Sequence, residues 1–143
     1  MRRNLQVEDL GDLLSQPRIA ILATQLPDGS TLLSAVWHLS EQGGFTIVID
    51  GSDAKMRNLR RDPRLSVVVA EDDPPYRGIE VRGEARFADM DASAVLRRLA
   101  GRYLKNRDVE AYLERMRGWS EEAVVLRVEP GVLRAWDFAD EEW

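Results

Sequence analysis

A chain of 143 residues, 44 % apolar and 31 % charged, has the length and balance of one globular domain over 1–143 and excludes the fibrous and disordered classes. Its formal charge of −5 opposes a role on nucleic acid, and the absence of cysteine removes disulfides, thiolate metal sites and thiol nucleophiles. The charged opening from Met1 to Asp9 lacks the apolar run of a signal peptide and no later stretch reaches membrane-spanning length, so a cytoplasmic protein with no membrane partner is expected.

In chain order, Leu10, Leu13 and Leu14 recur at helical spacing and predict a short helix that Pro17 stops. Two apolar runs, Arg18 to Gln25 and Thr31 to Leu39, flank Pro27-Asp28-Gly29 and read as a hairpin. Gln42-Gly43-Gly44 turns the chain into a third strand, Phe45 to Asp50. A helix from about Asp53 to Arg61 ends before Asp62-Pro63, and a fourth strand runs from Leu65 to Ala70. Ile79, Val81, Gly83, Ala85 and Phe87 then alternate with Glu80, Arg82, Glu84 and Arg86, the pattern of a half-buried strand. Asp91 caps a helix with the stripe Val95, Leu96, Leu99, Ala100 and Tyr103, and Val109, Leu113 and Met116 continue a helical pattern to Gly118. Two closing strands, Ala123 to Glu129 and Val132 to Asp137, meet at Pro130-Gly131.

Seven short strands, joined mostly by tight turns and with helices inserted rather than alternating, predict an antiparallel split β-barrel with peripheral helices. The second strand is apolar on both faces, with Leu33, Ala35, Trp37 and Leu39 on one and Leu32, Ser34, Val36 and His38 on the other. A surface strand of a monomeric barrel should be polar outside, so its outer face is covered by a helix, a cofactor or a second subunit. We take Leu32, Val36 and His38 to face away from the core and expect a homodimer.

The segment Asp50-Gly51-Ser52-Asp53-Ala54-Lys55-Met56-Arg57-Asn58-Leu59-Arg60-Arg61-Asp62-Pro63-Arg64 carries most of the chemistry. A strand ends, a small turn follows, and a helix starts with cationic side chains in its first turns. Free N–H groups and the positive dipole end suit a phosphate there. The plainer alternative is an Asp53 cap, an Asp53–Arg57 pair and solvated arginines. The arginine cluster at 57, 60, 61 and 64 has no interleaved aromatics, which argues against an oligonucleotide-binding barrel.

The run Phe45 to Ile49, the Ser52 turn, Lys55, Asn58-Leu59 and Asp62-Pro63-Arg64 before an apolar strand resemble the pyridoxamine 5′-phosphate oxidase-like split-barrel superfamily. Lys55 to Arg64 resembles more narrowly its actinobacterial branch that uses the deazaflavin coenzyme F420. The resemblance extends to Ile19 to Thr24, Asp28-Gly29, Ser34 to Trp37, Val81 to Ala85 and Arg134 to Asp137. It implies a cofactor in a groove at a dimer interface, with the phosphate after the third strand. On that basis Lys55 is a phosphate ligand beside Ser52, Arg57 and Asn58; Ser34, Val36 and Trp37 form the wall beside the ring system, and Trp136 borders the groove. Two departures bear on the cofactor. Asp53 stands near Lys55 where many flavin-binding members carry an Arg-Lys pair, and an acidic end, Asp137 to Trp143, replaces the basic substrate signature of the pyridoxamine phosphate oxidases proper.

The resemblance thus implies an F420-dependent oxidoreductase that passes a hydride to a small electron-poor organic substrate. The alternatives are an FMN-dependent oxidase or reductase and a non-catalytic flavin-binding protein. His38, the single histidine, is the candidate catalytic proton donor, set against a structural role for a lone strand histidine. No nucleophile elbow is present, so no hydrolase is indicated.

Overall fold

The computed structural model describes residues 5–105 and 107–142. Among the described residues seven strands form: β1 (Ala20–Gln25), β2 (Thr31–Val36), β3 (Leu39–Glu41), β4 (Gly44–Asp50), β5 (Arg64–Ala70), β6 (Arg77–Ala88) and β7 (Ala123–Asp137). All neighbours pair antiparallel in one sheet of order β2-β1-β5-β6-β7-β4-β3. β2 and β3 lie at opposite ends of that order, yet only Trp37 and His38 separate them in the chain. So short a link spans roughly 10 Å, so the sheet must curl until its two edges approach. The predicted split β-barrel is therefore the fold that is found.

Helix α1 (Ala54–Arg61) carries the chain from β4 to β5, and α2 (Ala92–Tyr103), α3 (Val109–Arg115) and α4 (Arg117–Glu122) fill the connection from β6 to β7. Among the described residues no helix is long and apolar enough to cross a membrane. The main core lies inside the curl, where Leu22, Ile47, Ile49, Val67, Val69, Ile79 and Leu126 meet Leu10, Leu13, Met56 and Leu59 from the segments that plug it. A second cluster forms outside, where Val95 and Leu99 of α2 pack on Leu39 and Val125 beside Trp37, Val48 and Tyr103. This explains why β4 is apolar on both faces: Ile47 and Ile49 point into the curl while Val48 lies under the helix. The Tyr103 hydroxyl fastens the seam, donating to the Arg18 carbonyl at 2.7 Å and accepting from the His38 N–H at 3.1 Å.

Three local readings are corrected. The leucine spacing predicts a helix through Leu14, but only a 3-10 turn, Val7–Leu10, forms, because Gly11 at φ 59° leaves the helical region. Leu10 and Leu13 are buried nonetheless. The two closing strands are one long strand, β7, with its irregularity at the Arg82/Gly83 step of β6 opposite Pro130. A Pro-Gly pair reads as a turn, but it equally suits a bulge, where a ladder N–H is dispensable.

The third correction concerns β2. Val36 lies opposite Ala20 and Ser34 opposite Leu22, and Ala20 and Leu22 are fully buried. Directly opposed residues share a side of the sheet, so Ser34 and Val36 face the core, and Leu32 with them. The outward residues are Leu33 and Ala35, Leu33 being 65 % exposed. His38 falls outside this alternation because the chain leaves β2 after Val36.

Candidate functional site

The turn from β4 into α1 is set by two aspartates. The Asp50 carboxylate accepts from the Ser52 backbone N–H at 2.8 Å and from its hydroxyl at 2.7 Å. Asp53 occupies the N-cap position, but its carboxylate makes no bond to the helix N–H groups. It accepts instead from Lys55 Nζ at 2.6 Å. Lys55 is 14 % exposed and Asp53 38 %, so the ammonium is held largely out of water, and it keeps the Asp53 carboxyl below the ordinary carboxylate range. The α1 start thus sets the Asp53 carboxylate beside the Ala54 and Lys55 N–H groups and answers the Lys55 cation with that same anion.

Trp37 forms the second half of the site. Its ring stacks on Tyr103 with centroids 5.1 Å apart and planes 4° from parallel, and Tyr112 of α3 approaches at 5.8 Å. A cavity of about 380 Å³ opens beside it, within the roughly 300–1,000 Å³ span of small-molecule sites. Its sheet wall is Ala35, Val36, Trp37, Val48 and Ile49. Leu96 and Leu99 of α2, Tyr112, Met116 and Trp119 form the helical wall, while Asp50, Asp53 and Lys55 close the end at α1. One face is thus apolar and aromatic, which suits a flat conjugated ring, and one end carries Lys55 among the Asp50 and Asp53 carboxylates.

The cavity brings together Val36, Trp37 and Lys55 from the sequence-derived set. Ser34 faces the core side of β2, and Ser52 is exposed, spending its hydroxyl on Asp50 and its carbonyl on Arg57, 2.8 Å from the guanidinium. Asn58 is buried: its amide donates to the Thr24 hydroxyl at 3.2 Å and accepts from Arg61 at 3.1 Å. Asp62 clasps Arg64 across Pro63 through the backbone N–H at 3.1 Å and the guanidinium at 2.8 Å. The Asn58-to-Arg64 run therefore anchors α1 on β1 and fixes its exit. Trp136 lies across β6 at Gly78, where a side-chain carbon would strike the indole, and beneath the Arg134 guanidinium at 4.9 Å.

His38 is 0 % exposed, and among the described residues neither ring nitrogen meets a partner in good hydrogen-bond geometry, the Arg18 backbone being the polar group beside it. Phe45 meets it edge-on at 5.3 Å. Burial, reinforced by the Arg102 charge, pushes its pKa down to about 4, so the ring is neutral at pH 7 and does not line the cavity. Tyr112 and Trp119 belong to the cavity wall without lying in any recognisable motif. A tryptophan inside the polar stretch Arg117 to Glu122 was the available signal, since an indole with no apolar stripe of its own needs a partner elsewhere.

A curled antiparallel sheet with an aromatic groove beside its connecting helices defines a split β-barrel protein. The pyridoxamine 5′-phosphate oxidase family model matches residues 7–137, and the chain belongs to that family. Among solved structures, an F420 reductase is 26 % identical at a TM-score of 0.71, with 85 % of this chain and 93 % of the other covered. A conserved hypothetical protein of Mycobacterium tuberculosis is 25 % identical at 0.76, with 95 % and 87 % covered. An FAD-binding protein from Mesorhizobium loti shares the fold at 18 % identity and 0.66, with 94 % and 95 % covered. The heme storage protein HutZ of Vibrio cholerae shares it at 18 % and 0.65, with 89 % and 92 % covered. No curated protein matches.

Proposed function

We propose that the protein is a cytoplasmic coenzyme F420-dependent oxidoreductase that transfers a hydride to an electron-poor C=C or C=N bond of a small organic substrate, and that it works as a homodimer. One observation carries this reading: Val36 and Trp37, which the family resemblance implies as the ring-side wall, and Lys55, which it implies as a phosphate ligand, line one cavity. The reduced deazaflavin supplies the hydride. The chain supplies an apolar, aromatic wall that excludes water and orients a flat ring, and Lys55 with the α1 N–H groups supports an anionic group. His38 lies sealed away from the cavity, so the balancing proton comes from solvent.

The choice of deazaflavin over FMN rests on Asp53. A compact phosphate is best held by two unopposed cations, and Lys55 is already answered by a carboxylate at 2.6 Å. A cofactor that continues into a long acidic tail gains from distributed attraction at the α1 arginines, and FMN does not. The 26 % identical F420 reductase supports the same choice. The dimer is supported by Leu33, 65 % exposed on the edge strand β2. The test is binding of deazaflavin and FMN to recombinant protein from a host that lacks the deazaflavin. Colourless protein that binds the deazaflavin more tightly, with a preference that shrinks as salt rises, is the expected result. Stoichiometric FMN on the purified protein, or tighter FMN binding at low salt, refutes the assignment and leaves the fold intact.

A further inference from the structure

The arginines of the β6–β7 connection divide into two groups. Arg97 pairs with Glu110, Arg98 with Glu41 and Arg117 with Glu114. Arg102 donates to the Leu14 and Gln16 carbonyls at 2.8 and 2.6 Å. Arg107 and Arg115 differ: among the described residues neither guanidinium meets a carboxylate, and Arg115 touches only the Tyr112 ring face at 5.9 Å. Asp108, which lines the same groove, accepts from the Ala111 N–H at 3.0 Å and so caps α3, leaving the groove's charged groups two cations to one anion.

These two free cations border the same groove, of about 610 Å³, whose apolar surface comes from Leu104, Ala111 and Tyr112. Tyr112 is also a wall of the cofactor-sized cavity, so the groove adjoins that cavity across a single side chain. Among the described residues Arg97, Arg98 and Arg117 meet carboxylates and Arg102 meets carbonyls, whereas Arg107 and Arg115 face a partly apolar concavity. A ligand complementary to it has an apolar body and one carboxylate, the body on Tyr112 and Leu104 and the carboxylate between the two guanidinium groups.

We propose that the groove between Leu104 and Arg115 recognises the carboxylate of a small organic acid, and that the substrate of the reaction belongs to this class. The second clause rests on the oxidoreductase reading; the binding itself does not. Arg107 and Arg115 are specificity-determining residues here, set apart from Lys55 at the opposite end of the neighbouring cavity.

The experiment is an amide NMR titration of the cofactor-free protein with benzoate and, separately, with uncharged benzamide. Benzoate is expected to shift Leu104, Ala111 and Tyr112, benzamide to bind far more weakly, and Arg107→Gln with Arg115→Gln to reduce benzoate affinity by at least about fivefold. The same double variant is then tested with deazaflavin carrying its acidic tail and with the tail-less ring. Loss confined to the tail-bearing form, with no benzoate response, assigns the groove to the cofactor tail and overturns the proposal. Equal binding of benzoate and benzamide, or an unchanged benzoate response in the folded double variant, overturns it as well. Because benzoate is titrated without cofactor, failure of the deazaflavin assignment leaves this result standing, and the reverse also holds.

Discussion

His38 makes acid stability a direct test of the seam between β2 and β3. Its ordinary pKa of 6.5 falls to about 4 in the folded chain, first because burial penalises the charged ring and then because Arg102 repels it. The unfolded chain therefore binds a proton between these two values that the folded chain refuses, so stability is full above 6.5 and falls as pH drops towards 4. A gap of about 2.5 units corresponds to about 3 kcal/mol in full, and to about 2 kcal/mol between pH 7.5 and pH 5. That upper window lies above the range in which most carboxylates titrate, which isolates the histidine. Urea unfolding across it should show the loss in the natural chain and little of it in His38→Leu. Because neither ring nitrogen meets a partner in good hydrogen-bond geometry among the described residues, the variant is expected to be no less stable at pH 7.5. As the chain has one histidine, its imidazole resonance reports the pKa directly. Parallel pH profiles for the two proteins, or a measured pKa above 6, would refute the reasoning.

Four further outcomes are expected. Lys55→Ala weakens deazaflavin binding by about 1.5–3 kcal/mol in a fluorescence titration, and Arg60→Ala does much less; equal losses would point to the general field rather than a ligand. Asp53→Ala frees the Lys55 ammonium and should tighten FMN binding at least about fivefold, so an unchanged or weaker FMN affinity argues against Asp53 as the discriminating group. Asn58→Ala strands the buried Thr24 hydroxyl and should lower unfolding stability by about 1–3 kcal/mol, with cofactor affinity tracking only that loss; a selective loss of cofactor at full stability would make Asn58 a ligand instead. Leu33→Glu should convert the proposed dimer to monomer in sedimentation, and a natural chain already monomeric at micromolar concentration refutes the dimer altogether.

Much of the barrel was legible because period-two alternation survives wherever one face of a strand is wet. β6 is the clearest case: Ile79 and Val81 are buried while Arg82, Glu84 and Arg86 are exposed. Legibility failed where both faces are dry or the backbone breaks its own period. β2 offered two apolar faces, and only its pairing with β1 decides that Val36 faces in and Leu33 out. Trp37 and His38 look like a continuation of that strand, yet they are the hinge where the curl closes. No local signal marks such a hinge, because the force that sets it is the meeting of two sheet edges distant in the strand order.

The site divides along the same line. Lys55 and Trp37 were recoverable because motifs flank them, whereas Tyr112, Met116 and Trp119 come from helices whose sequence shows only helical spacing. The motif that made the family recognisable, Asn58 through Arg64, has bonds within the chain for most of its side chains: Asn58 to Thr24 and Arg61, Asp62 to Arg64. A sequence signature of a binding family can therefore mark the scaffold that aims a helix start rather than the atoms that touch the ligand. Here the aimed group is Lys55, and the chemistry available to it is set by one neighbour, Asp53, that lies outside the motif. In the function proposed above, selectivity between cofactors rests less on the recognisable run than on the charge placed just ahead of it.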